Sequence, residues 1–178
     1  CGTPLHFVRN VVMAKTKSGL SFLWLSVAAF VLDLLTKYIV LQKFDLYESL
    51  NVLPMFNLTY VRNYGAAFSF LADHNGWQQY FFVLLAVIIS LMLVYFLKKN
   101  SIAQRLQNSA YALIIGGALA NMVDRLYHGF VVDFLDFYWR DWHYPVFNVA
   151  DIAICIGAGL LAIDAFKSDK AKTQGGQA

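Results

Sequence analysis

The sequence predicts an integral membrane protein that is mainly α-helical, with four transmembrane helices, a small extracytoplasmic β-sheet and an interfacial helix that acts as a lid. The chain of 178 residues is 59% hydrophobic and 14% charged, whereas soluble globular domains average about 45–50% apolar and about 25% charged residues. Four apolar segments are also long enough to cross a hydrocarbon core of about 30 Å. They cover about residues 20–41, 78–97, 107–127 and 146–166.

The four segments differ in polarity. Residues 80–97 carry no charge, whereas the first segment contains Asp33 and Lys37 and the fourth contains Asp151. The third carries a Gly116–Gly117 pair. As soluble core helices these segments would have almost no polar face to cover them, so we interpret all four as spans.

The distribution of cations predicts the orientation. Nine of the 14 Lys and Arg residues lie in the two tails and in the loop between the second and third segments. The positive-inside rule therefore predicts cytoplasmic termini and outward-facing loops at residues 42–77 and 128–145. The net charge is only +3, with no basic stripe between aromatic residues, so nucleic acid is not an expected partner.

The outer loops carry further patterns. Residues 44–62 alternate apolar and polar positions around Pro54, which predicts short strands of a small sheet. Residues 63–71 combine small and aromatic residues and predict a tight turn. Residues 128–142 place aromatic groups at roughly helical intervals beside several Asp residues, which predicts an interfacial amphipathic helix.

The ends of the chain are interpreted separately. Residues 1–12 precede Met13-Ala14-Lys15, a string that reads like an initiation site, so we interpret them as an appended or upstream segment. Residues 13–170 are predicted to form one membrane domain, followed by a flexible tail at 171–178.

Ionisable residues inside spans are costly unless they are paired, and they therefore indicate function. Asp33 and Lys37 lie four residues apart on one helix face, which predicts a direct pair that supports the fold. Asp133 and Asp151 come to similar membrane depths at the two ends of one short loop. Two carboxylates in hydrogen-bond reach share a proton, as the pair in aspartic proteases does.

This pattern leaves alternatives open. Apposed carboxylates also bind protons or cations in small membrane transporters, and spacing alone does not separate the two functions. The internal repeats and broken spans that are typical of transporters are absent from the sequence. If the protein were a purely structural subunit, the presence of polar residues within its spans would have no functional explanation.

Five strings resemble the motifs of one family. They are DLLTK at 33–37, NYGAAFS at 63–69, GGALANMVDR at 116–125, GFVVD at 129–133 and FNVAD at 147–151. In this order they closely resemble the motifs of the bacterial lipoprotein signal peptidases, also called signal peptidase II. Cys155 lies in an apolar run, and neither it nor Cys1 belongs to a metal-ligand pattern.

The resemblance implies an aspartic endopeptidase of the bacterial inner membrane whose active site lies near the outer face. Such enzymes remove signal peptides from prolipoproteins by cleaving on the amino side of a diacylglyceryl-modified cysteine. The expected partners are these substrates and membrane lipid. We expect a monomer that needs no metal and no cofactor.

The resemblance also implies residue roles. Asp133 and Asp151 would be the catalytic dyad. The expected substrate-binding residues are Asn63, Gly65, Asn121, Arg125 and Asn148. Asp33 and Lys37 would support the structure, and so would Asp124, by positioning Arg125.

Overall fold

The computed structural model describes residues 18–65 and 77–175. A short 3-10 helix at Gly19–Phe22 leads into α1 (Leu23–Lys43), which is followed by strands β1 (Ser49–Leu53) and β2 (Phe56–Asn63). Helices α2 (Trp77–Lys99) and α3 (Arg105–His128) come next. The chain then forms β3 (Val131–Trp139), β4 (Trp142–His143) and α4 (Val149–Gly175).

Helix α3 is the centre of the bundle and packs against α1, α2 and α4. The predicted Gly116–Gly117 pair lies at two of these contacts. A Cβ at Gly116 would lie 2.5 Å from the backbone oxygen of Ser26 on α1, and one at Gly117 would overlap the backbone oxygen of Ala150 on α4. Two adjacent glycines therefore let α1 and α4 approach α3 on neighbouring faces, as small residues do in membrane helix packing.

Three of the described helices are long and apolar enough to cross a membrane: Gly19–Lys43, Trp77–Lys99 and Val149–Lys167. Helix α3 is long enough but more polar, because Asn108, Asn121 and Asp124 are buried on it against the other helices. The predicted four-helix architecture is confirmed, and α3 is the helix on which buried polar groups lower the mean hydropathy most.

The strands form one antiparallel sheet in the order β1-β2-β3-β4. The short strands predicted within residues 44–62 are present as β1 and β2, and Pro54 lies in the turn between them. The sheet packs on the end of α1 through a core of Val40, Tyr60, Val132 and Phe134. This contact fixes β3 next to the helix bundle.

The predicted interfacial helix at 128–142 is wrong, because these residues form β3 and β4 instead. Apolar residues face both sides of β3: Phe134 packs in the core at the end of α1, and Phe137 stacks against Phe147 at 5.8 Å between ring centroids. A strand that is covered on both faces no longer alternates apolar and polar residues. The spacing of apolar residues in this stretch therefore resembled that of a helix. The β-branched and aromatic residues of this stretch favour a strand.

Other boundaries differ modestly. Helix α4 begins at Val149 and continues to Gly175, so residues 171–175, predicted as tail, are helical. Lys170, Ala171 and Lys172 are good helix formers, which accounts for the extension. Of the predicted turn at 63–71, only residues 63–65 lie within the described residues, and residues 1–12 lie outside them.

Candidate active site

The two predicted catalytic carboxyl groups lie near the starts of β3 and α4, which come together at one end of the bundle. Asp133 lies in β3, Asp151 lies in the first turn of α4, and Asn148 immediately precedes that helix. The Nδ2 of Asn148 donates to Asp133 Oδ1 at 2.7 Å, and its backbone N–H donates to Asp151 Oδ2 at 3.2 Å. One residue therefore joins both members of the dyad.

Two further amides complete the shell around the carboxyl groups. Asn63, at the end of β2, donates from Nδ2 to Asp133 Oδ2 at 2.9 Å. Asn121, on α3, donates from Nδ2 to Asp151 Oδ1 at 2.9 Å. The structure thus brings together residues from β2, β3, α3 and the start of α4.

Each of these amides is held in one orientation by a group that can only donate to its oxygen. Asn121 Oδ1 accepts from the Lys37 ammonium at 2.8 Å, and Asn63 Oδ1 accepts from the backbone N–H of Gly65 at 2.8 Å. Asn148 Oδ1 accepts from the backbone N–H of Asp151 at 3.0 Å. All three NH₂ groups must therefore point towards the dyad.

The environment of Asp133 favours its protonated form. Its side chain is buried, with 2% of its surface exposed. Burial and the nearby charge of Asp151 raise the pKa of Asp133 to about 7, and the hydrogen bonds from Asn63 and Asn148 oppose this rise only in part. At neutral pH about half of the molecules therefore carry a proton on Asp133.

A second buried cluster lies behind the dyad, between α1 and α3. Lys37 Nζ is 2.7 Å from Asp33 Oδ2 and 3.0 Å from Asp124 Oδ2. The predicted direct pair of Asp33 and Lys37 is thus present. Asp33 Oδ1 also accepts from the backbone N–H of Ala150 at 2.7 Å, which ties α1 to the start of α4.

Asp124 contacts α1 and β3, as a residue with a supporting role would. Its Oδ2 contacts Lys37 and accepts from the backbone N–H of Val132 at 3.0 Å, so it holds β3 against α3. It was expected to position Arg125, but the hydrogen bond from Arg125 NH1 goes to the backbone oxygen of Asn121 at 3.2 Å. Adjacent helix residues point about 100° apart, which separates the two side chains.

Phe82 was missed by the sequence analysis. The Arg125 guanidinium lies over its ring at 4.8 Å from the centroid, and a Cβ at Gly65 would lie 2.9 Å from the same ring. Gly65 has φ +98°, which favours glycine. An aromatic residue in an uncharged span carries no signal of such a contact, because only the tertiary fold places it there.

The arrangement as a whole supports acid–base chemistry. It contains two carboxyl groups that are compensated by amides, a guanidinium nearby and a buried shell that keeps each amide oriented. Within the two described ranges, no group of three or more His, Cys, Asp or Glu side chains is placed to hold a metal ion.

Comparisons with known proteins identify the family. The family model described as signal peptidase (SPase) II matches residues 25–167. The lipoprotein signal peptidase of Haemophilus influenzae (strain PittGG) is 82% identical over 158 residues, which cover 89% of this chain and 92% of that protein. The lipoprotein signal peptidase of Actinobacillus succinogenes is 75% identical over 89% of this chain and 97% of its own length.

A solved structure is also similar. It is described as a bacterial membrane enzyme determined by the in meso method at 2.3 Å resolution, and it matches with a TM-score of 0.76 and 33% identity. The match covers 85% of this chain and 91% of the other. The fold, the paired carboxyl groups and these matches together show that the chain belongs to the signal peptidase II family of membrane aspartic peptidases.

Proposed function

We propose that this protein removes signal peptides from prolipoproteins by cleaving on the amino side of a diacylglyceryl-modified cysteine, with Asp133 and Asp151 as the catalytic dyad. The observation that carries the proposal is the bridge formed by Asn148, which binds Asp133 at 2.7 Å and Asp151 at 3.2 Å. The names of the relatives, all lipoprotein signal peptidases, support the substrate class.

In the proposed reaction, the Asp151 carboxylate takes a proton from a water molecule whose oxygen adds to the scissile carbonyl carbon. Asp133 gives its proton to the carbonyl oxygen in the same step. When the tetrahedral intermediate collapses, the C–N bond breaks, Asp151 passes its proton to the leaving amine, and Asp133 recovers a proton from the hydroxyl group. The raised pKa of Asp133, about 7, supports its role as the initial acid.

The donors around the dyad would have two different roles. Arg125 Nε is buried and has no hydrogen-bond partner among residues 18–65 and 77–175, so it can donate to a peptide carbonyl of the substrate. Asn63, Asn121 and Asn148 would instead act mainly on the dyad, because their NH₂ groups are already directed at its oxygens. Gly65 would act by holding Asn63.

We also propose that the chain lies in the bacterial inner membrane with both termini in the cytoplasm and the dyad near the outer face. Lys98 and Lys99 end α2 at the opposite end of the bundle from the sheet. Trp77, Trp139 and Trp142 are exposed at the end that carries the sheet, where interfacial aromatic residues are expected. Acyl chains of the substrate could then stay in the bilayer during cleavage.

The test is a cleavage assay with the purified full chain in detergent and a diacylglyceryl-modified prolipoprotein, analysed by mass. We expect wild type to cut before the modified cysteine, with EDTA present throughout. Asp133→Asn and Asp151→Asn should each lower kcat at least about 1,000-fold, because the general acid or the general base is lost. Asp141→Asn changes an exposed aspartate and serves as the matched control.

Two outcomes would contradict the proposal. Cleavage at wild-type rate by both folded dyad variants would remove the dyad from the mechanism. Absence of cleavage by folded wild type, together with proton or cation flux in vesicles, would favour the transporter alternative.

A further inference from the structure

A cavity of about 390 Å³ lies between α1 and α3, at the end of the bundle that carries the sheet. Gln42, one residue before the end of α1, and His128, the last residue of α3, line its outer part. Leu34 lines it about 12 Å further along α1. The cavity therefore reaches from the ends of these helices into the bundle, and its volume is in the range of about 300–1,000 Å³ that small-molecule sites occupy.

Lys37 lines this cavity but has no N–H group left for a ligand. Its Nζ lies 2.7 Å from Asp33 Oδ2, 2.8 Å from Asn121 Oδ1 and 3.0 Å from Asp124 Oδ2. An ammonium group has three N–H donors, and three oxygens already surround this one. The cavity therefore offers no free ammonium to an anion.

Asp124 lines the same cavity and offers an acceptor. The residue is buried, with 3% of its surface exposed. Its Oδ2 contacts Lys37 and accepts from the backbone N–H of Val132, whereas its Oδ1 accepts no hydrogen bond from residues 18–65 or 77–175. A buried acceptor without a donor is costly, so a ligand in this cavity should donate to Asp124 Oδ1.

The electrostatics of the cavity favour a donor that carries a positive charge. Two carboxyl groups, those of Asp33 and Asp124, share the single ammonium of Lys37. The side chains of Tyr38 and Tyr127 also line the cavity, and the faces of aromatic rings attract cations. A carboxyl oxygen beside two tyrosines therefore suits an ammonium group.

The depth of Asp124 matches the headgroup region of a bilayer. It lies one turn, or about 6 Å, before the end of α3. A bilayer is about 40–45 Å thick around a hydrocarbon core of about 30 Å, so each headgroup region is about 5–8 Å deep. Tyr38 and Tyr127 expose 61% and 84% of their surface beside the cavity, which therefore opens sideways towards lipid.

We propose that this cavity binds the primary ammonium group of a phospholipid headgroup, with Asp124 Oδ1 as its acceptor. The acyl chains of the lipid remain in the bilayer beside α1 and α3. A phosphate alone fits poorly, because Lys37 has no N–H left to donate. An acyl chain inside the cavity would leave Asp124 Oδ1 without a donor. The site is separate from the proposed dyad and needs no substrate.

The first test measures lipid preference by native mass spectrometry of the full chain in detergent. The lipids are the dioleoyl forms of phosphatidylethanolamine, phosphatidylcholine and phosphatidylglycerol. We expect one phosphatidylethanolamine to bind with a Kd about tenfold lower than those of the other two, because only its headgroup combines a positive charge with N–H donors. Equal affinity for phosphatidylcholine, or tighter binding of phosphatidylglycerol, would overturn the proposal.

A cavity-filling variant locates the bound lipid. Leu34→Trp should occupy part of the cavity and raise the Kd for phosphatidylethanolamine about tenfold. Leu35→Trp is the matched control, because Leu35 is the next residue on α1, exposes 53% of its surface and lies outside the lining. Equal effects of the two variants would place the lipid elsewhere and overturn the proposal.

Asp124→Asn tests the acceptor without filling the cavity. The amide oxygen can keep the contacts of Oδ2 with Lys37 and Val132, which places the NH₂ group where Oδ1 was. In the variant that thermal unfolding shows to be folded, we expect the preference for phosphatidylethanolamine over phosphatidylcholine to disappear. A preference that stays tenfold would overturn the role of Asp124.

Thermal unfolding in detergent also separates a lipid from a soluble amine. Phosphatidylethanolamine should raise the unfolding temperature of wild type and of Leu35→Trp more than that of Leu34→Trp. Ethanolamine at the same concentration should have no effect, because it lacks the acyl chains that hold the lipid beside the helices. Equal stabilisation by ethanolamine would assign the cavity to a soluble amine and overturn the lipid assignment.

Discussion

Two buried acidic clusters lie side by side in this bundle, and they are compensated differently. In the cluster of Asp33, Lys37 and Asp124, an ammonium lies within 3.0 Å of both carboxylates. In the dyad of Asp133 and Asp151, the hydrogen bonds to the carboxyl groups come from amide and backbone N–H groups.

The difference shows how one bundle separates structure from chemistry. In the first cluster the ammonium compensates the carboxylates and ties α1 to α3. In the second pair no ammonium of the described residues contacts the carboxyl groups, and burial together with the charge of Asp151 raises the pKa of Asp133 to about 7. Asn121 connects the clusters, because it accepts from Lys37 and donates to Asp151.

The largest effect on stability is expected from loss of the ammonium. Lys37→Met would leave two buried carboxylates uncompensated, and it should lower the free energy of unfolding by about 3–5 kcal/mol. Thermal unfolding in detergent measures the change. Lys43→Met removes an exposed lysine from the same helix and should have almost no effect. Similar stability of the two variants would show that the ammonium does not compensate the cluster.

The connection between the clusters can be tested with Asn121→Asp. This change keeps an oxygen near Lys37 but replaces the donor to Asp151 with a second acceptor. We expect kcat to fall about 100-fold, because the hydrogen bond to Asp151 is lost, and thermal stability to fall as well, because a further carboxyl group is buried in the cluster. Asn51→Asp, on exposed β1, is the control. An unchanged kcat would mean that the Asn121 amide does not support Asp151.

The pH dependence follows from the proton on Asp133. Its pKa is raised to about 7, so kcat/KM should fall about tenfold per pH unit above that value as the acid is lost. Asn63→Ala removes a donor that favours the ionised form, so it should move this fall to higher pH. Rate profiles of both proteins measure the shift. A wild-type rate that stays constant far above pH 7, or a shift to lower pH, would contradict the assignment.

The same pKa affects stability in a defined direction. Between the ordinary pKa of an aspartate and about 7, folded Asp133 binds more protons than the unfolded chain does. The free energy of unfolding therefore falls as pH rises through this window. Asp133→Asn should remove this contribution, so its thermal stability should decline less over the same range. An identical decline in both proteins would place the proton elsewhere.

The smallest effect on activity is expected from changes at Phe82, whose ring lies under the Arg125 guanidinium. Phe82→Leu removes a cation–π contact with a centroid distance of 4.8 Å, which should lower kcat/KM about threefold to tenfold, mainly through KM. Phe82→Tyr should retain most of the activity. Phe81→Leu changes a neighbouring exposed ring and should not affect the rate. Equal losses in Phe81→Leu and Phe82→Leu would point to general packing of α2.

The helices could be predicted because the length and apolarity of a span are local properties of the chain. The predicted segments and the helices begin and end within a few residues of each other for α1, α2 and α3. Strand β3 could not be predicted in the same way, since its pattern depends on which surfaces cover its two faces. Val132 faces α1 and Phe137 faces Phe147, and neither partner is adjacent in sequence.

The candidate site was only partly predictable. Unpaired carboxyl groups at two ends of one loop are visible in the sequence, and so is the i, i+4 pair of Asp33 and Lys37. The partners of Asp124 could not be predicted, because Lys37 and Val132 come from other elements. The sequence does not reveal that Gly65 orients the Asn63 amide.

The sequence by itself determined that this is a membrane protein, where its helices lie and that strands precede α2. It also determined the ion pair of Asp33 and Lys37 on α1 and the identity of the paired aspartates. These features depend on hydropathy, spacing and residue type along one segment. Only the tertiary structure decided the orientation of the three amides, the second partner of Lys37 and the contact between Phe82 and Arg125. Hydrogen bonds and ring contacts depend on distances of a few ångströms between groups that are far apart in the chain, and packing alone sets those distances.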